Sequence, residues 1–190
     1  MVRLLCLLAG LAGCATVAPP DAGELGDIEA GRKVLVLLRV AASIGGEPYE
    51  PFAHRLVDDN IGIAVGDFET GGRPQRLESV RFLSAESRAR GWTYLFAPPG
   101  TIYLAFLPPR RTDVFTYLDL FGAAPLWRVD LPAGSRFVYA GTLAVEGTAG
   151  SLLFEGDYLE TITHMEVRDE SDEARDLLQR HVPGAVPVKT

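Results

Sequence analysis

Cysteine is nearly absent from this chain of 190 residues: there are two, Cys6 and Cys14, and none from Ala15 onward. That excludes a disulfide framework and a thiolate zinc site from the body of the protein. Lysine is almost as scarce, only Lys33 and Lys189, and arginine carries the remaining positive charge. Lysine and arginine together number 18 against 25 acids, a formal net charge of −7. A basic surface for phosphate contacts is missing, which argues against nucleic acid as a partner. A polybasic patch for anionic lipid is equally missing. The three histidines, His54, His164 and His181, lie far apart and outside H-x-x-x-H spacing. No G-x-S-x-G, P-loop or S-x-x-K pattern occurs, and neither a cofactor nor a catalytic set is expected. The longest early apolar run, Leu4–Leu11, falls well short of the roughly 20 residues needed to cross a bilayer.

That run has a different meaning at the start of the chain. Arg3 precedes it, and small residues follow it, the organisation of a secretory signal peptide. Leu11-Ala12-Gly13-Cys14 resembles the lipobox of bacterial lipoproteins. The resemblance implies cleavage between Gly13 and Cys14, diacylation of the Cys14 thiol and a membrane anchor. Two or more acyl chains hold a protein stably, whereas one does so only marginally. An ordinary cleavage site at Thr16-Val17-Ala18 would leave Pro19 first, a poor fit. Ala15, rather than Asp, follows Cys14; by resemblance to Gram-negative lipoproteins this implies the outer membrane.

Three regions follow: residues 1–13 as signal, residues 14–31 as lipidated cysteine and flexible tether, and residues 32–190 as one domain. The tether expectation rests on composition, since Ala15–Gly31 carries two prolines and four acids without a base. Fully extended, its 17 residues would reach about 55 Å.

The domain reads as mainly β, a β-sandwich of about seven to nine strands with one C-terminal helix. Lys33–Val40 alternates, with Val34, Val36, Leu38 and Val40 on one face. Further strands are expected at Ile61–Phe68, Leu77–Leu83, Gly91–Phe96, Thr101–Leu107, Val114–Leu120, Leu126–Leu131, Arg136–Val145, Ser151–Glu155 and Tyr158–Val167. Glycine and proline mark turns, including Gly147–Gly150. The strongest hairpin signal joins Trp92–Phe96 to Ile102–Phe106 through Pro98-Pro99-Gly100. Thr101–Leu107 is apolar on both faces, as in a strand covered on two sides. Ala174, Leu177, Leu178, His181 and Val182 fall at helical spacing, predicting a helix over about 170–182 that packs on the sheet and stops at Pro183-Gly184.

Candidate contacts are few. Arg110 and Arg111, after Pro108-Pro109, mark an exposed loop able to meet an anionic glycan or phosphate; Arg73 and Arg76 read likewise. Trp92 and Tyr94 stand as strand-end aromatics that could line a ligand cleft, although most aromatics should be core. Asp58, Asn60 and Glu69 imitate a calcium loop, but Ile63 replaces its required glycine, so a turn entering a strand is the better reading. Glu155–Asp176 holds nine acids against Arg168 and Arg175, expected as a solvated face rather than a cation site.

Pro98-Pro99-Gly100-Thr101-Ile102-Tyr103-Leu104 and Leu131-Pro132-Ala133-Gly134, continuing to Tyr139-Ala140-Gly141, are similar to strands of uncharacterised bacterial lipoproteins with a transthyretin-like or immunoglobulin-like sandwich. That resemblance implies a fold and an envelope location and carries over no catalytic residue. The expectation is therefore a non-catalytic interaction or accessory module with an envelope protein partner. A periplasmic small-ligand or glycan-binding protein is the alternative. A hydrolase built from His54 or His164 with a carboxylate is the remote one.

Overall fold

The computed structural model describes residues 16–52, 61–65, 81–106, 126–152 and 156–189. The chain is mainly β, and its described residues form two sheets. Its strands are β1 Thr16–Val17, β2 Val34–Ile44, β3 Glu47–Tyr49, β4 Ile61–Val65, β5 Arg81–Phe82, β6 Trp92–Ala97, β7 Gly100–Phe106, β8 Leu126–Leu131, β9 Phe137–Leu152, β10 Gly156–Arg168 and β11 Val188–Lys189. Among the described residues the helices are α1 Ala22–Glu29, α2 Ala85–Ala89 and α3 Ser171–His181. The larger sheet has eight strands in the order β1-β5-β6-β2-β9-β10, with β3 beside β2 and β11 beside β9; the smaller runs β4-β7-β8.

Strand β2 is the centre of the molecule because both of its faces are apolar. Val34, Val36, Leu38 and Val40 share a core with Ile102 and Leu104 of β7 and Val129 and Leu131 of β8, filling the space between the sheets. Leu35 and Leu37, each 0% exposed, share a second core with Ile28 of α1 and Leu177 and Leu178 of α3. Each such burial contributes about 1.5–3 kcal/mol. The architecture is thus a sandwich with a helical layer on the outer face of its large sheet. The two-sided burial expected of Thr101–Leu107 belongs to β2 instead. In β7, Ile102 and Leu104 are buried, whereas Thr101 and Tyr103 are half-exposed.

Other expectations need correction. Trp92–Phe96 and Ile102–Phe106 do not form a hairpin: β6 pairs with β2, and β7 pairs with β4 and β8. Pro98-Pro99 carries the chain from one sheet to the other. Leu95 and Ala97 then meet Ile102 and Leu104 across the core instead of along a ladder. Nor does Gly147–Gly150 turn, because β9 runs unbroken through it and pairs with β10. A Cβ on Gly147 would lie 2.1 Å from the Thr161 carbonyl oxygen, so close approach to β10 is what requires glycine there. Expected strand Val114–Leu120 lies outside the described residues.

The largest correction concerns the tether. Asp21 accepts from the Glu24 amide and Glu24 accepts from the Asp21 amide, a capping box that starts α1. Ile28, 2% exposed, seats that helix on the sheet. Ahead of it, β1 pairs in parallel with β5, Thr16 opposite Arg81 and Val17 opposite Phe82. The Tyr94 hydroxyl donates to the Ala18 carbonyl at 2.5 Å, and Arg81 pairs with Glu24 while lying over the Tyr94 and Phe96 rings. Composition favoured a coil, but distant partners supply the burial that the segment lacks by itself.

The C-terminal helix forms where its spacing predicts. Ala174, Leu177 and Leu178 are buried, Asp172 and Glu173 open the first turn, and Arg180 and His181 close the last.

Candidate functional site

An open groove of about 530 Å³ lies beside the second half of β2. Arg39 to Ser43 form its floor. Tyr49 of β3 and Arg90, just beyond α2, lie on one side; Glu146 of β9 and His164 and Arg168 of β10 lie on the other. Strand alternation explains this, since β2 ceases to be uniformly apolar at Arg39 and its ladder partner changes from β6 to β3 beyond it. The gap left at that change of partner is the groove.

Arg39 joins the groove to the helical layer. Its Nε donates to the Arg90 carbonyl at 2.9 Å and its Nη1 to Glu170 Oε2 at 2.7 Å, with Glu173 Oε2 3.5 Å away. Its guanidinium lies 5.6 Å from the Trp92 ring centroid. Arg90 pairs with Glu173, which also accepts from Trp92 Nε1 at 3.1 Å. Behind them, Thr142 Oγ1 donates to Glu170 Oε2 at 2.8 Å. Thr142 has one hydroxyl hydrogen and spends it on that carboxylate, so Tyr139, 2.8 Å away, must donate to Thr142. The Glu170 amide in turn donates to the Tyr139 oxygen at 3.1 Å. Burial pushes the Tyr139 phenol above its ordinary value, against the pull of Thr142 and the Glu170 amide. The hydroxyl therefore keeps its proton as a donor. This network pins the start of α3 to β2 and β9.

Arginine presents a planar fork suited to carboxylates, phosphates and similar anions, and Arg168 is 57% exposed while paired with Glu166 at 2.5 Å. Burial likewise raises the Tyr49 phenol, opposed by a backbone hydrogen bond involving Leu159; the ring packs against the core between the sheets. Among the described residues, His164 and His181 make no hydrogen bond or ion pair with a carboxylate. No group of three or more potential metal ligands occurs among the described residues either.

Residues singled out by sequence fare differently. Gly13, Cys14, Arg110 and Arg111 lie outside the described residues, as do His54, Arg73, Arg76, Asp58, Asn60 and Glu69. Trp92 and Tyr94 are both 0% exposed and belong to the second core, so neither offers a surface to a ligand. Strand β6 is interior to the sheet and the helical layer covers their face; one holds α3 and the other holds β1. His164 is an exposed strand residue on the groove wall. The acids of residues 155–176 are largely spent on cations: Glu170 on Arg39, Glu173 on Arg90, Asp169 on Lys189, Asp172 on Arg175 and Glu166 on Arg168. Reading by motif missed Arg39, Tyr49, Arg90 and Arg168. A charge interrupting an apolar strand was the one signal that could have found Arg39.

No family model matches this chain, and no curated protein or solved structure does.

Proposed function

We propose that this chain is a cell-envelope lipoprotein, cleaved after Gly13, acylated at Cys14 and sorted to the outer membrane of a Gram-negative bacterium. Its β-sandwich acts as a non-catalytic interaction module. The observation that carries the interaction reading is the groove, where Arg39, Arg90 and Arg168 line one open surface. A small-ligand or glycan-binding protein is the second reading, favoured by volume. At about 530 Å³ the groove falls within the roughly 300–1,000 Å³ of small-molecule pockets. Such pockets enclose most of their ligand, however, and this one is only partly enclosed. A segment of a larger partner suits that shape better.

A photo-crosslinking residue placed at His164, in the groove, and at Arg175, on the outer side of α3, tests this in cells. The expected result is one reproducible adduct from position 164, absent at 175 and lost on Arg168→Glu. Equal capture from both positions, or none, would contradict the interaction reading.

A further inference from the structure

The anchor proposed at Cys14 and the fixed segment after it together dictate how the domain meets the membrane. From Thr16 onward the chain is locked. Besides the β1–β5 pairing, the Ala18 amide donates to the Phe82 carbonyl at 2.9 Å, and the Tyr94 hydroxyl holds the Ala18 carbonyl. Only Ala15 separates Cys14 from the sheet. Two extended residues span at most about 7 Å, against about 55 Å for an unfolded tether. A domain held so closely cannot sample many orientations.

We infer that the lipid surface beneath the anchor is a contact partner of the β1 edge, so that the large sheet stands edge-on to the membrane. This rests on the acylation of Cys14 proposed above. The apposed edge has suitable chemistry: Val17, 45% exposed, lies just past the anchor, with Pro19 exposed beside it. Attraction by charge contributes little, since Arg81, opposite Thr16, is already paired with Glu24, and Asp21 beside them is acidic. The order β1-β5-β6-β2-β9-β10 puts β10 at the opposite edge. Five strand spacings of about 4.8 Å set it about 24 Å further out. β10 carries His164 and Arg168, so that wall of the groove is held away from the bilayer.

With the Cys14 thiol acylated and Cys6 removed, an introduced cysteine is the one free thiol. Fluorophores at Val17→Cys, Ala22→Cys and Val167→Cys can be compared in the full acylated protein. The vesicles are phosphatidylethanolamine and phosphatidylglycerol carrying a nitroxide on the headgroup, and flotation establishes anchoring. The expected result is loss of most of the fluorescence at positions 17 and 22 and little at 167. An insert of about 12 Gly/Ser residues after Ala15, a coil of roughly 19 Å, should restore it without releasing the protein. Equal quenching at all positions in floated protein overturns the edge-on geometry and leaves the lipoprotein reading standing. Failure to float, or flotation equal to that of Cys14→Ser, overturns both.

Discussion

Replacing Ile28 by alanine tests whether residues 16–31 belong to the folded unit. The side chain is 2% exposed and shares the core of Leu35, Leu37, Tyr94 and Leu178. The substitution removes Cγ1, Cγ2 and Cδ1, worth about 2.4 kcal/mol at about 0.8 kcal/mol per buried carbon. Imperfect collapse of the cavity adds to this, for a total of about 2–5 kcal/mol. Urea unfolding of a chain beginning at Ala15 gives the measurement. With m near 2 kcal/mol/M, the midpoint should fall by about 1–2.5 M at unchanged slope. Exposed Glu29→Ala, one residue along, should stay within about 0.5 kcal/mol. If Ile28→Ala also stays within about 0.5 kcal/mol, α1 is not seated on the sheet and the reasoning fails.

Gly26→Ala, in α1 with nothing within 4 Å of its would-be Cβ, should stabilise by about 0.5–1 kcal/mol in the same assay; no effect would indicate a coil. Gly147→Ala should instead destabilise by about 1–3 kcal/mol, because Thr161 carbonyl oxygen at 2.1 Å and Leu159 Cδ1 at 2.5 Å would have to move. Arg39→Ala leaves Glu170 and Glu173 without their shared cation. These side chains are 22–33% exposed, so solvent softens the loss to about 1–2 kcal/mol, read as a drop in melting temperature. Burial foremost pushes the Tyr94 phenol up from 10.0 to about 12. Folding therefore favours its protonated form, and that stability is complete below pH 10 and lost as pH rises toward 12. The loss reaches about 3 kcal/mol, and urea midpoints across this range should fall less steeply in Tyr94→Phe.

Local chemistry was legible where a segment carries its own reason to adopt a shape. Leu126–Leu131 is a strand with the expected bounds, and Ser171–His181 is a helix whose acids, apolar stripe and terminal Pro183-Gly184 agree. Relations between distant residues were not legible. Asp21-x-x-Glu24 is a capping box in plain view, yet the rest of its stretch is poor in core residues. The Arg81 that fixes Glu24 stands 57 positions away. The groove is harder still: Arg39 and Glu170 are 131 residues apart and meet only after β2 and β9 pair. Proline and glycine misled twice for one reason. Both residues tolerate turns, but Pro98-Pro99 serves a passage between sheets and Gly147 a close approach of strands.

The proposed membrane geometry and groove orientation both turn on Thr16–Glu29 being built into the fold. Amide hydrogen exchange on the chain from Ala15 reads this directly. The Ala18 amide, bonded to Phe82, and the Leu25 amide, bonded to Asp21, should exchange orders of magnitude more slowly than free peptide. Exchange of both at the rate of an unstructured chain would return the segment to a flexible tether and remove the basis for an edge-on domain.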